Sequence, residues 1–120
     1  VSTRLLIVED DASSRTALER AFRSAGVVAA FASTLAEGMG MLAGCDVSLI
    51  DLDLPDGRGT DLLRAIRVAA MPVRAAIYSG KPDAETIVAA SGERPDAVFR
   101  KPVDFNRLLA WVGAVDEPSI

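Results

Sequence analysis

Apolar residues fall into five short runs, each followed by a stretch whose apolar positions recur every three to four residues. Leu5-Leu6-Ile7-Val8 ends in acids and reads as a buried strand. From Ala12 to Ala25, Leu18, Ala21, Phe22 and Ala25 stand at i, i+3, i+4 and i+7, one face of a helix that Gly26 would stop. Val27 to Phe31 is a second strand candidate. Thr34 and Glu37 then have capping-box spacing, with Leu35, Met39 and Leu42 as the expected buried stripe of a helix weakened by Gly38 and Gly40. Val47-Ser48-Leu49-Ile50 is a third strand closing on Asp51, and Leu54-Pro55-Asp56-Gly57 is turn chemistry. Leu62, Leu63 and Ile66 mark a third helix, Val73 to Tyr78 a fourth strand and Asp83 to Ser91 a fourth helix. Ala97 to Arg100 is a fifth strand. Phe105, Leu108, Leu109 and Val112 line a last helix, with Asp104 as N-cap.

Strand then helix, five times over, predicts an α/β fold: a parallel sheet covered on both faces. Right-handed crossovers leave few arrangements, and the expectation is a doubly wound, flavodoxin-like (βα)5 sheet in strand order 2-1-3-4-5. No linker or repeat divides the chain, so 1–120 reads as one domain with a core at about 4–115 and a loose tail from Asp116 to Ile120.

Composition narrows the chemistry. Half the 120 residues are hydrophobic and a quarter charged, as in an ordinary globular domain. A net charge of −4 argues against direct contact with nucleic acid. No apolar run reaches membrane-spanning length and no signal peptide opens the chain, which makes the cytoplasm the expected compartment. The first residue is Val1 rather than Met, so a processed product and a piece of something longer both fit. Cys45 is the only cysteine, best read as a small core residue. Histidine is absent, which excludes Ser-His-Asp and Cys-His machinery and His-based zinc sites.

The remaining chemistry gathers where strands end. Glu9, Asp10 and Asp11 follow the first strand, Asp51 closes the third, Ser79 the fourth and Lys101 the fifth. A parallel sheet brings these ends to one edge, where ligands bind beside the reversal of strand order. Glu9, Asp10 and Asp51 would share one pocket, and three close carboxylates call for protons or a cation. All-oxygen ligands suit Mg²⁺, which keeps waters beside one or two carboxylates, and its open positions invite phosphate. Ser79 and Lys101 are natural partners for phosphate oxygens. Each residue alone has a bland reading: Asp11 as a helix cap, Asp51 and Ser79 as turn residues, Lys101 as solvated surface. Their coincidence at four strand ends carries the argument.

Leu6-Ile7-Val8-Glu9-Asp10-Asp11, Asp51-Leu52-Asp53-Leu54-Pro55-Asp56-Gly57, Tyr78-Ser79-Gly80 and Phe99-Arg100-Lys101-Pro102 together resemble the receiver domains of bacterial response regulators. The resemblance implies a two-component or phosphorelay phosphoacceptor, not a turnover enzyme. A histidine kinase or histidine phosphotransfer protein would supply the phosphoryl group, and Asp51 would receive it. It implies that Asp10 binds Mg²⁺ directly, Glu9 assists through water, and Asp53 offers its backbone carbonyl. Ser79 and Lys101 would hold phosphoryl oxygens, and Lys101-Pro102 would be a cis bond. Asp53 and Lys81, two residues after Asp51 and Ser79, would tune the lifetime of the phosphorylated state.

The chain departs from that family in three places. Serine stands at 79 where threonine is commoner, and the stretch from Asp51 to Ser79 is a residue or two short. Val98 stands where an aromatic residue usually couples phosphorylation to the output face, and Phe99 beside it faces the other side of the strand. Two other readings compete. One is a haloacid-dehalogenase-type phosphatase, suggested by Asp51-Leu52-Asp53 but set against by the mid-chain motif, the preceding acid pair and the short chain. The other is a degenerate receiver used only for interaction.

Overall fold

The computed structural model describes residues 3–113. Its core is a five-stranded, all-parallel sheet whose central strands read as apolar runs because helices cover both faces. Main-sheet strands are β1 (Leu5–Val8), β2 (Ala29–Ala32), β3 (Val47–Asp51), β6 (Arg74–Ser79) and β7 (Ala97–Arg100). Their order is β2-β1-β3-β6-β7, the expected 2-1-3-4-5 when main-sheet strands are counted in sequence. The expected turn at Leu54–Gly57 is held by two short extra strands, β4 (Asp53–Leu54) and β5 (Gly57–Arg58), paired antiparallel.

Alternation along the central strands sorts the core in two. Leu6, Val8, Ile50 and Ile77 pack under α2 (Leu35–Met41), α3 (Gly59–Val68) and α4 (Ala84–Ala90), with Leu35, Leu62, Leu63, Ile66 and Val88. Leu5, Ile7, Leu49 and Tyr78 pack under α1 (Ala12–Ser24) and α5 (Phe105–Gly113), with Phe22, Leu108 and Val112. A one-residue slip in any central strand would exchange these sets, so burial on both faces pins the register.

The caps follow the sequence closely. Asp11 accepts the Ser14 amide at 2.8 Å and Asp104 accepts those of Asn106 and Arg107. Thr34 accepts the Glu37 amide, while Glu37 reaches the Ser33 amide, one residue before the expected partner.

Four expectations need correction. Met39 is 48% exposed, because α2 turns Gly38 inward instead. A Cβ at 38 would stand 3.2 Å from side-chain methyls of Val8 and of Leu62, so a larger residue there would have to push those side chains aside. Ala25 is an exposed C-cap rather than part of the buried face of α1. The second strand begins at Ala29, since Val27 is spent in the α1 exit turn, where its amide donates to Phe22 O, and Val28 is 83% exposed. Cys45 is half-buried at the margin of the core, its thiol donating to Val47 O at 2.9 Å. The expected tail from Asp116 to Ile120 lies outside the described residues. None of the helices in the described part is long and apolar enough to cross a membrane.

Candidate functional site

Glu9 and Asp10 follow β1, and Asp51 ends β3; the two strands are neighbours in the sheet. That adjacency brings carboxylate oxygens of Glu9, Asp10 and Asp51 within 4.8 Å of one another. Glu9 is fully buried and Asp51 is 6% exposed, whereas Asp10 faces solvent. Hard oxygen donors with one accessible member form a cluster that can hold a metal ion.

Lys101, just past β7, reaches between the two buried acids. Its Nζ donates to Glu9 Oε1 at 2.9 Å and to Asp51 Oδ2 at 3.0 Å. The other Asp51 oxygen accepts the Asp53 amide at 3.1 Å. Ser79 is buried at the end of β6, with its Oγ accepting the Lys81 amide at 3.0 Å. The Lys101-Pro102 peptide is cis. Asp53 and Lys81 form an exposed ion pair, Nζ to Oδ1 at 3.2 Å. Val98 is half-buried on β7 in register with Ile77. Phe99 packs edge-on against Trp111 in the opposite core layer.

Electrostatics mark the cluster as charge-frustrated. Burial, reinforced by the neighbouring Glu9, pushes Asp51 up to about 7, although Lys101 and the Asp53 amide oppose the rise. Burial works in the same direction on Glu9, but hydrogen bonds to Asp51, Tyr78, Lys101 and the Asp11 amide outweigh it and bring Glu9 down to about 2. Burial opposes the charge on Lys101, yet Glu9 and Asp51 hold it above its ordinary value. A cation or a proton therefore relieves the pair of buried acids.

Three residues that build the site escaped the sequence reading. Tyr78 donates its hydroxyl to Glu9 Oε1 at 2.7 Å, and its ring centroid lies 4.5 Å below Lys101 Nζ. Arg15 Nη1 donates to the Glu9 and Asp10 carbonyls, both at 3.0 Å, and to Ser33 Oγ at 2.9 Å, tying down the acidic loop. Gly59 opens α3 against Asp51, where a Cβ would come within 2.2 Å of the Asp51 carbonyl oxygen. Only Gly59 had a local hint, a glycine at a helix start; the reach of Tyr78 and Arg15 depends on strand order.

The sequence family described as the response regulator receiver domain matches residues 5–113. The cell cycle transcriptional regulator CtrA of Caulobacter vibrioides is 32% identical over 114 residues, covering 93% of this chain and 49% of that protein. The cell cycle response regulator CtrA of Brucella ovis is 30% identical over the same shares. The chain thus spans about half the length of these curated relatives. Among solved structures, a response regulator receiver protein from Pseudomonas putida superposes with TM-score 0.82 at 29% identity, covering 95% of this chain and 98% of that one. A CheY-like receiver domain protein from Methanospirillum hungatei gives 0.82 at 25%, covering 97% and 95%. Sheet order, the acidic cluster beside Lys101 and a match along nearly the whole chain converge on one conclusion: this chain belongs to the response regulator receiver domain family, the signalling domains of two-component systems.

Proposed function

We propose that Asp51 is the phosphoacceptor, taking a phosphoryl group from a phosphohistidine on a histidine kinase or histidine phosphotransfer protein with Mg²⁺ as cofactor. One observation carries this reading. A buried aspartate at the sheet edge has Lys101 on one oxygen and the Asp53 amide on the other, and two further acids lie within 4.8 Å.

In the transfer, an Asp51 carboxylate oxygen bonds to phosphorus as the P–N bond breaks, and the imidazole leaves with that electron pair. Lys101 moves its charge onto a phosphoryl oxygen, exchanging a carboxylate partner for a phosphoryl one. Ser79 Oγ, held at the Lys81 amide, is placed to donate to a second oxygen. Asp10 and Asp51 would hold the ion directly, with Glu9 assisting and the Asp53 carbonyl as a further protein ligand. Bound there, Mg²⁺ supplies charge neutralisation for the incoming phosphoryl group. Asp53 and Lys81 modulate loss of the phosphoryl group, and Val98 bears on the readout. The domain alters only its own phosphorylation state, acts in the cytoplasm and touches neither nucleic acid nor membrane itself. The phosphatase reading is weaker, because Asp53, which it needs as an acid/base, is paired with Lys81 at the surface.

The test is mass spectrometry after incubation with a small acyl-phosphate donor and Mg²⁺. One phosphoryl group per chain is expected, with none on Asp51→Asn. Equal labelling of that variant overturns the assignment, and multiple turnover of phosphate esters would favour the phosphatase.

A further inference from the structure

Glu9 is the most enclosed acid of the cluster, and three protein donors converge on its carboxylate. Its Oε1 accepts from the Tyr78 hydroxyl at 2.7 Å and from Lys101 Nζ at 2.9 Å. Its Oε2 accepts the Asp11 amide at 3.2 Å. Tyr78 itself cannot yield: it is 1% exposed, its backbone lies in β6, and its ring packs in the α1/α5 core layer. The same ring lies beneath Lys101 Nζ. One fully buried side chain thus touches both the acid and the lysine that faces it, and with Lys101 and the Asp11 amide it draws the Glu9 carboxylate to the side of its donors.

The number of carboxylates free to turn toward an ion decides which ion fits. Ca²⁺ takes six to eight oxygens at long, variable distances, whereas Mg²⁺ demands a small octahedron and keeps several waters beside one or two carboxylates. With Glu9 withheld, Asp10 and Asp51 remain as the directly available carboxylates. With Glu9 released, the site has a third and becomes a better cage for the larger ion.

We infer that Tyr78 is a positioning residue for ion selectivity: its hydroxyl withholds the Glu9 carboxylate from coordination and so favours Mg²⁺ over Ca²⁺. This rests on the cation site proposed above. Tyr78→Phe removes the hydroxyl and keeps the ring in the core and under Lys101.

The experiment is calorimetric titration of the full chain with Mg²⁺ and, separately, with Ca²⁺. Partners that orient ligands typically change metal affinity ten- to a hundredfold when lost. Tyr78→Phe should therefore improve Ca²⁺ binding roughly tenfold relative to Mg²⁺. Adding Glu9→Gln to that variant should abolish the gain, because the released carboxylate produces it. Glu9→Gln with Tyr78 intact should weaken both ions alike, leaving their ratio near the parent's. An unchanged ratio in Tyr78→Phe, or equal gain or loss for both ions, overturns the inference while leaving the cation site standing. A parent that binds neither ion overturns the cation site, and the inference with it.

Discussion

Nζ of Lys101 lies 3.0 Å from Oδ2 of Asp51, so the carboxylate at the end of β3 carries a cationic partner donated from the end of β7. The same nitrogen serves Glu9, and the two acids depend on one half-buried lysine. Removing one partner of a buried ion pair strands the other charge, which costs more than the pair was worth. Lys101→Met should cost roughly 2 kcal/mol in a chelator-containing buffer, below the loss for a fully buried pair because the lysine is partly hydrated. Added Mg²⁺ should restore part of it. Urea unfolding with and without the ion is the measurement, and a change below about 0.5 kcal/mol would show that the acids do not rely on Lys101.

The two buried acids should give the ion-free protein a stability maximum in mildly acidic solution. Burial and the adjoining Glu9 raise Asp51 from 3.8 to about 7. Between those values the folded state keeps a proton that the unfolded chain has released, so stability must fall as pH rises through the window. Glu9 works in the opposite sense: hydrogen bonds overcome its burial and lower it from 4.5 to about 2. Its contribution is present above the unfolded value and lost as pH falls through the folded one. Denaturation midpoints at a series of pH values should show the decline toward neutrality, and Asp51→Asn should flatten it. A variant that keeps the parent's slope would assign the decline to other groups.

The sheet was legible because its signals are local and periodic. β1 is a continuous apolar run and β3 one interrupted only by Ser48, both closed by acids, and helices between them force parallel pairing. Glu9, Asp10, Asp51, Ser79 and Lys101 could be gathered because each stands at a strand end. What escaped is set by contacts distant in sequence. Asp56, read only as a turn residue, accepts the Leu35 and Ala36 amides and so helps cap α2 from 20 residues away. Met39 lost its place to Gly38 because close approach to Val8 and Leu62 mattered more than hydrophobicity. Tyr78 reads as an ordinary strand aromatic until strand order places Glu9 within reach of its hydroxyl.

Asp53 and Lys81 pair at 3.2 Å, and both side chains remain nearly half exposed. Pairs this wet contribute little to folding, so Lys81→Ala should leave the unfolding midpoint almost unchanged. Its effect should be kinetic. The two residues follow Asp51 and Ser79 at the same two-residue interval, and on the function proposed above their pairing would limit water's approach to a phosphoryl group on Asp51. Loss of label from the phosphorylated chain, followed over time, should change several-fold in the variant. A rate within error of the parent would reduce the pair to solvated surface.

Phosphorylation should be reported only near the site. A switch needs an element with two arrangements that the added group distinguishes. Val98 offers a stiff β-branched side chain, held in register with Ile77 on β7. Phe99 cannot take over, because its ring is committed to Trp111 on the opposite face, 5.8 Å between centroids. A shift of Ser79 toward a phosphoryl oxygen would then have to travel through backbone alone, by way of Ser79 O and the Lys101 amide, 2.9 Å apart. Amide chemical shifts recorded with and without a phosphoryl mimic should change in the loops after Asp51, Ser79 and Arg100, and little along α4 and α5. Val98→Tyr should widen the response toward those helices, because it supplies a ring that can change position. Large changes running from Ser79 through Val98 into α5 in the parent would show that this fold transmits the signal without an aromatic residue at 98.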